Sequence, residues 1–284
     1  MKKIILTALL LTLPLTACSK APKSSNGEEI SSTPASNTAA VSPLPTASPP
    51  TPIPTATPNS LNQEISKTYR MNKNYDLVPI DPNGNKKVVL LTFDDGPKEK
   101  AMIDPMLDTL DKHKAKAIFF MNGYRIKAHP ELLKLVYERG QIIGNHSWDH
   151  IQLKKESNSK IDQQIKDVQK IVKDTIGVSP IFFRAPFASS NDHVREVAKQ
   201  ENLLYMTWSD GSLDWDLENK GYTTEQKSAL VIENVFKLLH NGSNILMHEL
   251  PWTVATLDNL LTQLEAKGYT FLDPRAIDTT AEVK

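Results

Sequence analysis

Val88-Val89-Leu90-Leu91-Thr92-Phe93-Asp94-Asp95-Gly96-Pro97 runs from apolar and β-branched residues straight into two adjacent carboxylates and a Gly-Pro turn. Val, Leu, Thr and Phe suit a pleated backbone, and an unbroken apolar run reads as a strand covered on both faces. Gly96-Pro97 then turns the chain sharply away. Asp94 and Asp95 therefore stand where a buried strand leaves the core.

Working outward, the same pattern returns at residues 117–121, 141–143, 181–183, 203–207, 244–247 and 269–272. Longer segments with helical spacing lie between, among them 130–139, 161–176 and 253–267. Gly140, Gly177 and Gly268 close them, as expected of a residue that enters the left-handed conformation cheaply. Seven strands alternating with helices predict an α/β fold with a parallel sheet under helical cover, either a barrel or an open doubly wound sheet. Residues 85–274 suffice for one domain with a substantial core.

Before this domain the composition changes twice. Met1-Lys2-Lys3 and the apolar residues 4–15 have the form of a signal-peptide core, too short to span a bilayer. Leu15-Thr16-Ala17-Cys18 follows, and Cys18 is the single cysteine, which excludes an internal disulfide. The stretch resembles a bacterial lipobox, so residues 1–17 are expected to be a lipoprotein signal peptide and Cys18 the lipidation site. Residues 18–66 are rich in Ser, Thr, Ala and Pro and predict a disordered, lipid-anchored linker reaching about 100 Å at roughly 3.1 Å per residue. A lead-in at 67–86, the main domain at 87–275 and a tail at 276–284 complete the division. The expected location is extracytoplasmic, on the cell membrane. With 33 basic and 33 acidic residues there is no footprint for nucleic acid, and no protein partner is implied.

The unusual polar residues fall at strand ends. Asp94-Asp95 follows the first strand, Asn122 the second, His146 the third, Arg184 the fourth and Asp214-Trp215 the fifth, while His248 ends the sixth. Parallel α/β sheets bring such positions to one face. In His146-Ser147-Trp148-Asp149-His150 two imidazoles lie four apart, on one side of a helical turn, where both rings reach one metal ion. Asp95 is the candidate third ligand, leaving positions for water and substrate as catalytic zinc sites do. Other divalent transition metals suit the same set. Asp94, held beside the cation, is the candidate base, and His248 the acid for a leaving amine. Asp214 is placed to pair with His248, and Arg184 to hold Asp94 by a bidentate contact. Trp215 and Leu246 either offer apolar walls for a sugar face and an acetyl methyl or are plain core residues. His113, His129, His193 and His240 read as surface residues.

These motifs, in this order, resemble the polysaccharide deacetylases with a NodB homology domain, carbohydrate esterase family 4, over about residues 87–273. The resemblance implies a distorted (β/α)7 barrel. It implies Asp94 as base, Asp95, His146 and His150 as ligands of Zn2+, His248 as acid tuned by Asp214, Arg184 orienting Asp94, and an oxyanion donor at the Phe187 N–H. Removal of N-acetyl groups from a cell-envelope glycan is implied, with peptidoglycan N-acetylglucosamine foremost because a tethered exported enzyme meets its own envelope first. A chitin-like oligomer is the alternative substrate. Ala185, Phe187 and Ala188 stand where the family has Pro, Tyr and Gly; Gly211 replaces an Asp, with Asp210 one place off; Glu249 replaces the Asp after the acid histidine. Two other readings remain: a two-carboxylate glycosidase, which leaves the histidines idle, and a glycan-binding lipoprotein without catalysis.

Overall fold

The computed structural model describes residues 65–280. Cys18, the signal segment and nearly all of the linker lie outside the described residues. The strands are β1 (Tyr69–Met71), β2 (Leu77–Pro79), β3 (Val88–Gly96), β4 (Ala117–Met121), β5 (Ile142–Asn145), β6 (Phe182–Phe183), β7 (Leu204–Tyr205), β8 (Asp210–Gly211), β9 (Ser243–His248) and β10 (Thr270–Phe271). The helices are α1 (Lys100–Lys112), α2 (Gly123–Ala128), α3 (Pro130–Glu138), α4 (Asn158–Ile176), α5 (Asp192–Gln200), α6 (Thr224–Leu238) and α7 (Pro251–Ala266). Seven parallel strands run in the order β7-β6-β5-β4-β3-β9-β8. No ladder joins β7 to β8 among the described residues, so the sheet curls into the distorted (β/α)7 barrel without closing.

The alternation along β3 explains both layers of the core. Val89, Leu91 and Phe93 face the helices, where they pack with Ile103, Leu107 and Leu257. Val88 and Leu90 face inward with Ile118, Phe120, Phe182 and Met206. Further along the same inward row come Thr92 and Asp94, both buried. The inner face is thus apolar at the foot of the barrel and polar at its carboxyl edge, because successive side chains of a strand point to opposite faces.

Several expectations from sequence need correcting. The seventh strand of the barrel is β8, whose two residues, Asp and Gly, carry no apolar pattern. The run at 269–272 instead gives β10, paired to the foot of β3 through Thr270 and Val88. Helix α4 begins at Asn158 rather than 161, since the Ser157 side chain caps it by accepting the Lys160 N–H before the apolar periodicity starts. Helix α7 begins at Pro251, a residue suited to the first helical position. The segment read as a lead-in forms the β1–β2 hairpin, and its Met71 and Leu77 pack inward with Leu272 and Ile277. Ile277, assigned to a tail, is buried and bridges Tyr69. His113 is not a surface residue either. Its side chain is 5% exposed, with Nε2 2.8 Å from Asp258 Oδ1 and Nδ1 3.0 Å from Glu265 Oε2, tying α1 to α7.

Candidate metal centre and active site

Strand geometry alone would send Asp94 and Asp95 to opposite faces. The β3–β4 register slips between Asp94 and Gly96, and Asp95 takes φ 67°. This bulge re-aims Asp95 toward the inner side, as bulges beside functional sites do. Asn122 holds the turned segment in place. Its backbone N–H donates to Gly96 O at 2.9 Å, and its Nδ2 donates to His146 O at 2.7 Å. One buried asparagine thus couples, through its backbone and its side chain, the two strand ends that carry the candidate ligands.

His146 and His150 do not lie on a helical turn, contrary to the spacing argument. Residues 146–150 form an irregular loop in which Ser147 and His150 have φ of 62° and 54°. The left-handed residues bring the ring centroids to 5.1 Å. The loop is fastened from α4, where Gln164 accepts from Asp149 N and donates to Asp149 Oδ2. Trp148 fills the space over Gly123, where a Cβ would overlap its ring. His146 Nδ1 donates to Arg184 O at 2.7 Å, so its Nε2 lone pair faces the cleft.

Asp95 Oδ1 lies 3.0 Å from His150 Nε2 and 3.3 Å from His146 Nε2. It is buried, yet neither contact has hydrogen-bond geometry. One donor atom from each of the three residues falls within 4.8 Å of the others. A desolvated carboxylate oxygen without a hydrogen bond, facing two imidazole nitrogens, is the arrangement a divalent cation satisfies. Burial alone would raise the Asp95 carboxyl, but His146 and His150, with His248 nearby, outweigh it and hold it far below the usual carboxylate range.

Asp94 approaches the same imidazole nitrogen, with Oδ2 3.7 Å from His146 Nε2. Arg184 is fully buried, and its Nη1 donates to Asp94 Oδ1 at 2.7 Å and to Thr92 Oγ1 at 2.9 Å. Its Nη2 goes instead to Thr207 O and Asn244 Oδ1, so the expected bidentate contact is a single one. That leaves Asp94 Oδ2 clear of the guanidinium. His248 is the register partner of Asp94 across β3 and β9, which puts both side chains on the inner face. Its Nδ1 donates to Asp214 Oδ1 at 2.8 Å. Asp214 Oδ2 accepts from His248 N and from Thr253 Oγ1, each at 2.7 Å. Burial pushes His248 down, but the charge and hydrogen bond of Asp214, with Asp94 and Asp95 beyond, outweigh it and raise the imidazole above its ordinary value.

A cleft of about 190 Å³ opens over these groups, lined by Asp94, Asp95, His146, His150 and His248, with Phe187, Trp215 and Leu246 among its walls. Ala185 and Trp208 also line it. Phe187 has φ 56° and places its ring 4.7 Å from that of His150. Every residue singled out in the domain thus reaches one cleft or directly supports a residue in it. Trp208 was missed, although it follows β7 as the other site residues follow their strands. Gly211 aligns with Leu246, and a Cβ there would meet Trp208 and Trp215, whereas Asp210 aligns with Ile245 toward the helices. No carboxylate enters the site at either position.

A curled seven-stranded sheet that gathers polar chemistry at its carboxyl edge defines the class: an α/β-barrel domain with a strand-end active cleft. The family profile described as polysaccharide deacetylase matches residues 81–206. A peptidoglycan-N-acetylglucosamine deacetylase of Bacillus cereus is 33% identical over 195 residues, 67% of this chain and 87% of that protein. The chain belongs to the polysaccharide deacetylase family. The Listeria monocytogenes peptidoglycan-N-acetylglucosamine deacetylase PgdA is 37% identical over 66% of this chain, which matches only 38% of that protein's length. The solved structure of the peptidoglycan deacetylase PdaC from Bacillus subtilis superposes with a TM-score of 0.59 at 32% identity, covering 69% of this chain and 90% of that one.

Proposed function

We propose that the protein is a zinc-dependent hydrolase that removes N-acetyl groups from cell-wall glycan, with peptidoglycan N-acetylglucosamine as substrate. The observation that carries the reading is the buried, unbonded Asp95 oxygen between two imidazoles, with Asp94 and His248 on neighbouring strands beside it. Similarity to peptidoglycan deacetylases of Bacillus and Listeria supports the substrate class.

Asp95, His146 and His150 would hold the cation, which supplies the Lewis acidity that eases water deprotonation and polarises an acetyl carbonyl. Asp94 Oδ2 takes the proton of the attacking water, while Arg184 keeps Oδ1 engaged and the carboxylate aimed. The water oxygen adds to the carbonyl carbon, and the Phe187 N–H is the protein's donor to the developing oxyanion. His248 Nε2 passes a proton to the amine nitrogen as the C–N bond breaks, giving acetate and a free amino sugar. Asp214 holds the imidazole in the tautomer and orientation that step needs. Leu246, Trp208 and Trp215 form the apolar walls for the methyl and the sugar face. The envelope location rests on the Cys18 region of the sequence alone.

The test is product mapping. Purified peptidoglycan and N-acetylglucosamine oligomers are incubated with the zinc-loaded protein, digested, and analysed by mass spectrometry. Loss of acetyl from glucosamine residues is the expected result. Loss from muramic acid alone, or from no glycan, would overturn the substrate assignment.

A further inference from the structure

Glu249 follows His248 and has no place in the chemistry above, yet its side chain is fully buried. Its Oε2 accepts the Lys98 N–H at 2.8 Å, and its Oε1 is buried with no hydrogen-bond partner. The carboxyl occupies the volume beside Gly96, so closely that a Cβ on Gly96 would overlap Oε1. Burial pushes the Glu249 carboxyl up to about 7, against the opposing pull of Lys98 and Arg125.

A buried carboxyl is an expensive filler for an apolar gap. Its position gives it a purpose. Gly96 is the residue after the bulged Asp95, and the Lys98 amide is on the far side of the Gly96-Pro97 turn. One side chain from just past β9 therefore contacts both sides of the Gly96-Pro97 turn that follows the bulge. Asn122 grips the same segment from β4 through Gly96 O. With Asp95 in the left-handed region, its carboxylate direction depends on the backbone at Gly96 staying put.

We propose that Glu249 is a positioning residue for the metal centre: by packing on Gly96 and holding the Lys98 amide, it fixes the bulge that aims Asp95 and ties that bulge to the strand carrying His248. The inference rests on Asp95 being a metal ligand. Supporting groups of this kind typically change metal affinity about 10–100-fold when removed.

The experiment is a zinc titration of the metal-stripped full-length protein against a chromophoric chelator, without substrate. Glu249→Ala is expected to bind zinc about 10–100-fold more weakly. Glu249→Gln keeps the volume and the acceptor for Lys98 N and is expected to restore wild-type affinity. In the zinc-saturated enzyme, the alanine variant should lose kcat with KM little changed. Wild-type zinc affinity in Glu249→Ala, with only its melting temperature lowered, would overturn the proposal and leave a purely structural role. Should the alanine variant fail to fold, Glu249→Leu serves, because it keeps bulk beside Gly96 but cannot accept the Lys98 N–H. Unchanged zinc affinity in that variant overturns the proposal equally. A protein that binds zinc with this dependence but deacetylates no glycan would sink the substrate assignment alone.

Discussion

Asp94→Asn is expected to lower kcat for acetate release by about 10²–10⁴-fold, the usual worth of a positioned proton-transfer group. The choice of asparagine matters. Arg184 is fully buried and its Nη1 depends on Asp94 Oδ1 and Thr92. Removing a buried partner outright costs about 3–5 kcal/mol, because the remaining charge is left uncompensated. Asparagine keeps the shape and the Oδ1 acceptor, so folding and zinc binding should survive, while the group replacing Oδ2 accepts no proton. Steady-state kinetics beside a thermal melt check both halves. A folded variant that keeps wild-type kcat would remove Asp94 from the role of base.

His248→Gln is the second large effect, again about 10²–10⁴-fold in kcat on an amide substrate. An amine leaves poorly unless its nitrogen is protonated, whereas an aryl ester expels a stable phenolate. The deficit should therefore shrink sharply on an aryl acetate. The pH profile carries an independent sign. Burial lowers the His248 value, but Asp214, Asp94 and Asp95 outweigh it and raise the imidazole above its ordinary 6.5. The catalytic proton is then lost as pH rises through the raised value, so kcat/KM should fall on the alkaline side. His248→Gln should lack that limb. Equal deficits on amide and ester would assign His248 to something other than leaving-group protonation.

Much of this site was legible because each group sits where a buried strand ends. Asp94, His146 and His248 announce themselves as polar residues closing apolar runs, and a parallel sheet leaves such positions little choice of face. Conformation beyond the strand ends was not legible. The spacing of His146 and His150 suggested a helical turn, but two left-handed residues do the same work in an irregular loop. Nothing in Asp94-Asp95-Gly96 signals that a bulge lets both carboxylates turn inward, since that depends on Asn122 and Glu249, just past the ends of other strands. Strand β8 escaped because a two-residue strand has no period to detect. Thr253 and Trp252, which hold Asp214 from the start of α7, lie far along the chain and resemble ordinary helix residues. The β1–β2 hairpin looked like a connector because its two buried anchors, Met71 and Leu77, are sparse among polar neighbours.

The measurement that bears most directly on the metal-dependent deacetylase reading is acetate release from peptidoglycan by the full-length protein as prepared, after chelation, and after zinc is returned. Release that disappears with the chelator and returns with zinc is the expected result, because Asp95, His146 and His150 would hold the cation on which the hydrolysis depends. Release that persists undiminished in the stripped protein would contradict it.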